Sequence, residues 1–469
     1  MAILTSQMPI LPNIHFEVSE RKVLLRLFDI ISVLGALQIV SSIFDFDYFH
    51  FTQAYWEWTV VLGIYLLVFG SIFELYELQA ASKFQTTLKN VILTTSVTVL
   101  IYLLTPFYTP TLPDNRLQIV IFYLAMIAAL LAWRWLYINL ISSPRFYKRV
   151  LVVGDAPDMD RIIGNLERQD PNYRIVGYIS TSDKQVNNAS NIPSYELNNL
   201  TTTVSEHSIS EIIVASNYGL GITKDLYSQL INLLESGFPI RDYTQVYEEI
   251  NQRVPVQYVD RDFFKYFPFS RSNQNTFYLF AIRLLDIIFA ILGLLFFMIM
   301  SPLIFLGNLI GNRGTFFYSQ KRIGKNGKAF SIIKLRTMIQ NAEAQGAQYA
   351  QKNDSRITSF GSFLRKTRLD ELPQFVNVLF GEMSFIGPRP ERPVFVRELS
   401  DLYPFYETRH IVKPGLTGWA QVMGRYGSSH DYALEKLQYD LYYIKHRNIF
   451  LDINIIFKTI GTILYYRGQ

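Results

Sequence analysis

Two adjacent carboxylates in a basic stretch are the side chains of this sequence best suited to chemistry. Asp370 and Glu371 lie within RKTRLDELPQFVNVLFGEMSFIGPRPE, the stretch from Arg365 to Glu391. Apolar residues follow the two acids at helical spacing, which predicts that a helix begins at the acids. The start of a helix presents unpaired amides and the positive end of the helix dipole, so it lowers the pKa of a carboxylate and attracts phosphate.

Basic residues on both sides of the acids decide between two interpretations of this stretch. Acids alone would suit a simple helix cap, and bases alone would suit an anion site. Both kinds of residue together predict a centre that combines a carboxylate, a metal ion and a phosphate. The basic residues concerned are Arg365, Lys366, Arg368 and Arg389.

The composition restricts the metal and the nucleophile that such a centre can use. The chain of 469 residues contains no cysteine, which excludes disulfides, thiolate zinc sites and cysteine nucleophiles. Its six histidines are scattered, and none forms an H-x-x-x-H pair. We therefore expect a hard cation with oxygen ligands, such as Mg²⁺. The net charge of +5 is modest, and no nucleic-acid partner is predicted.

The elements that must position these residues include membrane segments. Hydrophobic residues make up 49% of the chain, and four apolar stretches each approach the ~20 residues needed to cross a bilayer. Basic residues flank the first and last stretches, whereas the 44–56 loop has none, which places both ends of the bundle in the cytoplasm. With no cleavage site after it, the first stretch is interpreted as an anchor. The four stretches are residues 23–43, 57–77, 88–105 and 117–141.

A soluble domain of alternating strands and helices is predicted after the bundle. RVLVVG at 149–154 has the pattern of a buried strand, and RIVGYI, EIIVAS and a helix near 223–236 continue the alternation. Gly154 is followed by Asp-Ala-Pro-Asp-Met in place of a glycine-rich fingerprint, so no dinucleotide binding is expected.

A fifth apolar stretch, at about 284–310, is predicted to enter and leave the membrane by the same face. Both of its flanks are basic, with seven lysines and arginines in 311–336. Ser301 and Pro302 fall inside it, and proline removes a helix hydrogen bond, so we expect a helix–break–helix. A full crossing is the alternative interpretation.

Two further elements are predicted beyond this segment. FFYSQKRIGKNGKAFSIIKLRTM indicates a β-hairpin with Asn326 and Gly327 at its turn. The apolar stretch 448–466 favours a helix in the membrane interface over another span. Arg283 and Asp286, one helical turn apart, are predicted to form a structural pair, with a direct catalytic role for Asp286 as the alternative.

Several motifs within residues 280–469 resemble one family. They are RLLD at 283–286, the Ser301-Pro302 break, the hairpin sequence, the stretch around the acid pair, and KPGLTGWAQVMGR at 413–425. Together they resemble the bacterial polyprenyl-phosphate sugar-1-phosphate transferases, which are monotopic phosphoglycosyl transferases. The four spans and the α/β domain resemble the large form of that family.

The resemblance implies a ping-pong reaction. Asp370 would attack the sugar-bearing phosphorus of a UDP-sugar and expel UMP, and undecaprenyl phosphate would then take the phosphosugar from the aspartyl intermediate. Glu371 would hold Mg²⁺. The basic motif positions implied to contact phosphate or nucleotide are Lys334, Arg365, Arg389 and Arg425.

The resemblance also implies the cellular setting. It places the protein in the bacterial inner membrane as a homodimer, with its catalytic domain on the cytoplasmic face, at the first membrane step of exopolysaccharide, capsule or O-antigen synthesis. Glucose or galactose is the favoured sugar, with amino and deoxy sugars left open.

Two other functions remain as alternatives. A membrane-bound NAD-dependent nucleotide-sugar dehydratase would also combine spans with a Rossmann-like domain, but it needs an intact glycine fingerprint. The Y-x-x-x-K spacing of Tyr432 and Lys436 lies in a different domain from Gly154 and is interpreted as coincidence. The second alternative is a non-enzymatic scaffold of a polysaccharide export complex.

The predicted fold is therefore a membrane protein of the α plus α/β class. A four-helix transmembrane bundle occupies residues 1–145, and a Rossmann-like α/β domain occupies residues 146–265. A linker at 266–279 leads to a mixed α/β catalytic domain at 280–469, which contains the re-entrant helix.

Overall fold

The structure is a computed structural model in which the chain forms two compact units, residues 1–251 and 252–469. The described residues are 18–44, 46, 48–49, 55–105, 107–141, 147–154, 164, 166, 173–180, 192–195, 200–215, 223–256, 270–312, 314–340, 342, 346, 354–403, 405–424 and 430–465.

The first unit begins with apolar helices that pack around a shared core. Three of them are long and apolar enough to cross a membrane, and α2 is a shorter apolar helix of 17 residues. Residues from all four of these helices meet in one buried cluster that includes Leu37, Leu66, Val99 and Phe122. The helices are α1 (Val18–Ile43), α2 (Trp56–Ile72), α3 (Leu78–Ala81), α4 (Phe84–Leu103) and α5 (Leu117–Leu136), which continues as a π-helical turn at Tyr137–Ile141.

The second predicted span ends five residues earlier than expected, at Ile72. Glu74 adopts a left-handed conformation with φ of 58°, and a carboxylate in an apolar stretch favours a turn to solvent. The Tyr76 ring folds back onto Gly70, where a Cβ atom would lie 2.8 Å from the ring. This close approach fixes the turn that follows the helix.

The α/β part of the first unit contains the predicted parallel sheet. Its four strands are β1 (Lys148–Val153), β2 (Tyr173–Ile179), β3 (Glu211–Val214) and β4 (Ile240–Asp242), in the order β2-β1-β3-β4 and all parallel. The helices that the structure describes in this region include α6 (Leu200–Glu206), α7 (Lys224–Glu235) and α8 (Tyr243–Asn251). Gly154 follows β1, but the degenerate motif 155–159 lies outside the described residues.

The second unit is built around one long apolar helix, α9 (Thr276–Gly311), and an antiparallel hairpin of β5 (Phe317–Ile323) and β6 (Ala329–Leu335). Asn326 and Gly327 form the turn of this hairpin with positive φ, as the sequence predicts. The remaining elements are α10 (Ser359–Lys366), α11 (Phe375–Phe380), β7 (Ser384–Ile386), α12 (Pro393–Leu402), β8 (Gly415–Thr417), α13 (Trp419–Met423), α14 (His430–His446) and α15 (Ile449–Leu464).

The predicted break at Ser301 and Pro302 is not a break in secondary structure, because α9 continues through both residues. Proline at 302 cannot donate to the carbonyl four residues earlier, that of Met298. The hydroxyl of Ser301 donates to this carbonyl instead, at 3.0 Å. The serine therefore satisfies the acceptor that the proline leaves unpaired, and the helix persists.

The boundary of α9 also changes the predicted linker. Most of the stretch 266–279 that the structure describes belongs to a short 3₁₀ turn and to the first residues of α9. Asn275 caps the helix, since its side chain accepts a hydrogen bond from the Tyr278 amide. The membrane helix and its cap thus begin before residue 280.

Candidate active site

The predicted acid pair lies in a 3₁₀ turn, Leu369–Gln374, that packs against β6. The predicted helix begins at the acids as this 3₁₀ turn, and its α-helical part, α11, begins only at Phe375 and has six residues. Arg368 adopts a left-handed conformation with φ of 59° and turns the chain from α10 into the 3₁₀ segment. A short helix beyond the acids contributes little dipole, so the positive field must come from side chains.

Asp370 is buried, with 7% of its surface exposed. Burial raises the pKa of its carboxyl to about 6, and the neighbouring Glu371 acts in the same direction. The cations Lys334, Arg365 and Arg389 oppose this shift. None of the described residues donates a hydrogen bond to this carboxylate. At neutral pH the Asp370 carboxyl is therefore ionised, and the described residues leave its oxygens without a hydrogen bond.

Glu371 is held by three cations. Its Oε1 lies 2.6 Å from Arg389 Nη2 and 3.5 Å from Lys334 Nζ, and its Oε2 lies 3.2 Å from Arg368 Nη1. Burial alone would raise the pKa of this carboxyl, but the three cations outweigh burial and hold the pKa well below its usual range. Glu371 is thus a permanent anion next to a titratable one.

Two of the predicted phosphate-binding residues lie beside the acid pair on different elements. Lys334 is the penultimate residue of β6, and burial lowers its pKa to about 8, although Glu371 acts to raise it. Arg365 is in the last turn of α10, and its Nε donates to Thr337 Oγ1 at 2.9 Å. Burial also lowers the pKa of Arg365, against the effect of Asp370.

The other two predicted phosphate-binding residues have different outcomes. Arg389 contacts Glu371 and has a side chain that is 33% exposed, so its guanidinium can also contact a substrate. Arg425 lies outside the described residues. Four cationic side chains, those of Lys334, Arg365, Arg368 and Arg389, therefore surround two carboxylates, and the excess positive charge suits a phosphate-bearing substrate.

Arg283 and Asp286 hold structure beside this site, but they do not form the predicted pair. The Arg283 guanidinium donates to the carbonyls of Val378 and Leu379, at 2.7 Å each, and so caps the carboxyl end of α11. Asp286 accepts from Ser384 Oγ at 2.9 Å and, at 2.7 Å, from the amide of the residue after it. One residue fixes the end of the short helix, and the other fixes the strand that follows it.

The acid pair fits a metal site only when a substrate completes it. Among the described residues, no three acidic or histidine side chains cluster in a way that could hold a metal ion. Mg²⁺ at phosphate sites is held by one or two carboxylates, water and the phosphates themselves. Asp370 and Glu371 can supply the carboxylate oxygens of such a site, whereas a metal held by protein ligands alone does not fit beside three cations.

A cavity of about 350 Å³ lies at the turn of the β5–β6 hairpin and does not include the acid pair. It is lined by the hairpin turn, by α12 and by the 3₁₀ segment Tyr406–Ile411. Its lining includes Arg397, Glu407 and His410. The acid pair itself lies in the 3₁₀ turn, which packs against β6 and α10.

Two residues near the site have contacts that the sequence analysis did not assign. Arg368 pairs with Glu371 at helical i,i+3 spacing, and the sequence RLDE contained that signal. Lys436, interpreted above only as part of a coincidental motif, pairs with Glu391. No local pattern indicates this second pair, because its members are 45 residues apart.

Comparison with known proteins identifies two regions of the chain. A profile of bacterial sugar transferases matches residues 277–466, and a profile described as a CoA-binding domain matches residues 71–219. The chain is 40% identical over 229 residues to a UDP-N-acetylgalactosamine-undecaprenyl-phosphate N-acetylgalactosaminephosphotransferase of Aeromonas hydrophila, covering 48% of this chain and 52% of that protein.

Two other relatives show the same similarity. A UDP-glucose:undecaprenyl-phosphate glucose-1-phosphate transferase of Xanthomonas campestris is 40% identical over 195 residues, which cover 41% of this chain and 40% of that protein. A protein of Bacillus subtilis is 45% identical over 141 residues, which are 30% of this chain but 79% of that protein. It carries the name putative undecaprenyl-phosphate N-acetylgalactosaminyl 1-phosphate transferase.

The matched segment spans about half of the length of the first two relatives. The profile match at residues 277–466 contains every described residue of the site, from Lys334 to Arg389. The Bacillus subtilis relative is matched over 79% of its length at 45% identity, so the similarity covers most of a member of the family. The chain belongs to the bacterial sugar transferase family.

Proposed function

We propose that the protein transfers a sugar-1-phosphate from a UDP-sugar to undecaprenyl phosphate, with UMP as the other product. The observation that carries this proposal is the buried Asp370 carboxylate, which no described residue engages by a hydrogen bond, beside a permanent Glu371 anion and four cations. Phosphoryl transfer depends mainly on positioning and charge neutralisation, which such a site provides. The names of the relatives support the same class of reaction.

In the first half-reaction, a carboxylate oxygen of Asp370 attacks the phosphorus that bears the sugar. The bond between that phosphorus and the bridging oxygen of the diphosphate breaks, UMP leaves with the bonding electrons, and an aspartyl phosphosugar forms. The raised pKa of Asp370 makes its carboxylate more basic than an exposed one, while leaving it ionised near pH 7.

In the second half-reaction, a phosphate oxygen of the lipid attacks the phosphorus of the intermediate. The acyl phosphate bond breaks, the Asp370 carboxylate is released, and the lipid carries the sugar on a diphosphate. Because the two substrates react in turn, one site serves a water-soluble donor and a lipid acceptor. Lys334, Arg365 and Arg389 neutralise the phosphates in both steps.

Mg²⁺ would be held by Glu371, with Asp370 nearby, and when bound it would offset the negative charge of the diphosphate. We expect EDTA to abolish turnover and Mg²⁺ to restore it, as measured by UMP release. Full activity in EDTA would contradict this part of the proposal and would leave charge neutralisation to the lysine and arginines alone.

We also propose that α9 is re-entrant and bends at Pro302 without losing its helical conformation, so that the site faces the cytoplasm at the level of the lipid headgroups. A helix of 36 residues is about 54 Å long, more than a bilayer core of about 30 Å requires. Both halves of α9 nevertheless pack on neighbouring parts of the same unit. Ala290 joins a cluster with Ile332 and Val378, whereas Ile304 joins one with Leu335 and Leu364.

The opposite surface of α9 is apolar and exposed along its length, as are residues of α15 such as Phe450. These surfaces suit a membrane interface, which agrees with the proposed interfacial C-terminal helix. Since the chain has no cysteine, Gln274→Cys and Thr315→Cys each provide a single labelling site. We expect a membrane-impermeant maleimide to label both from the cytoplasmic side only, and labelling of the second from outside would exclude re-entry.

The reaction is tested by UMP release from purified protein in detergent, with undecaprenyl phosphate and a panel of UDP-sugars. The panel contains UDP-glucose, UDP-galactose, UDP-N-acetylglucosamine and UDP-N-acetylgalactosamine, since one relative is named for glucose and another for N-acetylgalactosamine. We expect UMP and a lipid diphosphate sugar from at least one donor without nicotinamide. A requirement for NAD would favour the dehydratase, and no product from any donor would favour a scaffold.

The homodimer stays a prediction.

A further inference from the structure

The main chain that carries Arg389 is held unusually firmly. Four consecutive carbonyls, those of residues 388–391, each accept a hydrogen bond from another part of the second unit. The donors are the Gly415 amide at 2.9 Å, Arg409 Nη2 at 3.0 Å, Arg322 Nη1 at 3.2 Å and the Ile323 amide at 2.9 Å. Such a segment has little freedom to move relative to the hairpin.

Two ion pairs connect this segment to α14, one directly and the other through Arg409, which donates to the Arg389 carbonyl. Lys436 Nζ contacts Glu391 Oε1, and the Oε2 of the same carboxylate lies 3.5 Å from Arg322 Nη1. Arg409 Nη2 lies 2.6 Å from Asp440 Oδ2, and both of these side chains are almost completely buried. Burial would raise the pKa of Glu391, but Lys436, Arg409 and Arg322 lower it to about 2. The carboxylate is therefore charged throughout the physiological range.

None of these side chains contacts the acid pair directly in the described structure, and the connection runs through Arg389. The carbonyl of Arg389 accepts a hydrogen bond from Arg409, and the guanidinium of Arg389 lies 2.6 Å from Glu371. Arginine has many rotamers, and the ion pair with Glu371 selects one of them only when the main chain places the side chain within reach. A buried ion network that fixes this main chain therefore keeps the guanidinium within reach of Glu371.

We propose that Lys436 and Arg409 are positioning residues of the transferase, which hold the Arg389 guanidinium at Glu371 by anchoring the 388–391 segment to α14. The inference rests on the proposed function and assigns to α14, a helix outside the acid-pair motif, a role in the reaction. Buried charges carry a desolvation cost that apolar residues would avoid, so their presence here points to a requirement for fixed geometry.

A double-mutant cycle between Lys436→Met and Arg389→Ala tests this proposal. Alone, Lys436→Met removes the charge but keeps the apolar stem, and we expect kcat/KM for UMP release to fall about 10-fold, compared with about 100-fold for Arg389→Ala. In the Arg389→Ala background the same change should cost less than about 2-fold, because the residue through which Lys436 acts is already absent. Equal fold-changes in both backgrounds would overturn the proposal.

The pH profile provides a second readout that a purely structural role would not change. Arg389 lowers the pKa of Asp370, so displacement of its guanidinium in Lys436→Met should raise that pKa. The acid limb of the profile, the low-pH range in which activity falls, should then move to higher pH. Glu435→Gln is the matched control, since Glu435 is the adjacent residue on α14 and pairs with Arg253 at 3.2 Å. It should leave the acid limb in place. An unshifted limb in Lys436→Met would contradict the proposal.

Arg409→Lys keeps the inference testable if Lys436→Met does not fold. The lysine retains a charge for Asp440 but cannot also reach the Arg389 carbonyl and the Tyr406 hydroxyl, which Arg409 contacts with its two terminal nitrogens. Activity and acid limb equal to those of wild type would refute the role of Arg409. Wild-type UMP release is measured first: its absence would defeat both proposals, whereas an active wild type with an additive cycle would defeat only this one.

Discussion

Two of the buried centres in which a carboxylate contacts a guanidinium differ in their balance of charge. In the membrane bundle, Asp29 of α1 and Arg134 of α5 pair at 2.6 Å, and neither side chain has any exposed surface. In the second unit, two carboxylates share four cations, and one of the cations is one-third exposed. The first centre is closed and balanced, whereas the second has excess positive charge and an open side.

Under the proposed function, this difference separates an ion pair that holds structure from a centre that takes part in the reaction. Polar residues inside a membrane bundle are costly, so a direct pair between two helices fixes their relative register at a price in desolvation. A centre with excess charge is incomplete until an anion enters. Asp370 accepts no hydrogen bond from the described residues, so both of its oxygens are available to a substrate, whereas Asp29 Oδ2 accepts from Arg134 Nη2.

The largest effect should come from Asp370→Asn. The amide cannot attack phosphorus, so we expect UMP release to fall by at least about 10³-fold, as when other enzymes lose a nucleophile. Thermal unfolding should change little, because no described residue pairs with this carboxylate. Product formation at the wild-type rate would make the acid pair structural, like the one in the bundle.

The next largest effect should come from Arg389→Ala. Loss of one preorganised charge at a phosphoryl site costs about 10²-fold in turnover. Arg389→Lys should recover only part of this loss, since lysine cannot reproduce the bidentate geometry of a guanidinium toward phosphate. Steady-state kinetics with varied UDP-sugar measures both variants. A loss below 2-fold in Arg389→Ala would show that the excess charge is not used.

The pH dependence of kcat/KM should be bell-shaped. Asp370 must be ionised to attack, and its raised pKa of about 6 means that activity falls as the pH drops through that value. Lys334 must be charged to bind phosphate, and its lowered pKa of about 8 means that activity falls again above it. Because the two acids are coupled, the acid limb belongs to the pair. A profile flat from pH 5 to pH 9 would contradict these roles.

The smallest effect on turnover should come from the bundle. Asp29→Leu alone leaves a buried arginine unpaired and should destabilise the first unit by about 3–5 kcal/mol. The double change Asp29→Leu with Arg134→Leu removes both charges and should recover most of that stability. Thermal unfolding in detergent checks the stability, and UMP release per folded molecule should stay within about 2-fold of wild type for both variants. A specific loss of turnover in the stable double variant would show that the bundle pair also serves the reaction.

The sequence was sufficient for the local features of the site. Asp370, Glu371 and their basic neighbours were identified from one continuous stretch, and the hairpin from its Asn326-Gly327 turn. The parallel sheet of the α/β domain also followed from its strand pattern. In each case the determining signal lies within a few residues of the feature that it determines.

Features that depend on contacts between distant segments could not be predicted. The helix continues through Pro302 because the neighbouring hydroxyl replaces a lost donor, a detail of side-chain geometry that the apolar pattern does not contain. The acids lie in a 3₁₀ turn because Arg368 takes a left-handed conformation, which is rare for a residue with a side chain. The pairing of Lys436 with Glu391 depends on the packing of α14.

The most direct test is to trap the covalent intermediate. Protein is mixed with a UDP-sugar labelled with ³²P on the sugar-bearing phosphate, in the absence of lipid acceptor, and is then digested and mapped by mass spectrometry. We expect one labelled phosphosugar per active site, on the peptide that contains Asp370, with release of an equal amount of UMP. Label on any other side chain, or UMP release that requires the lipid acceptor and leaves no adduct, would contradict a nucleophilic role for Asp370.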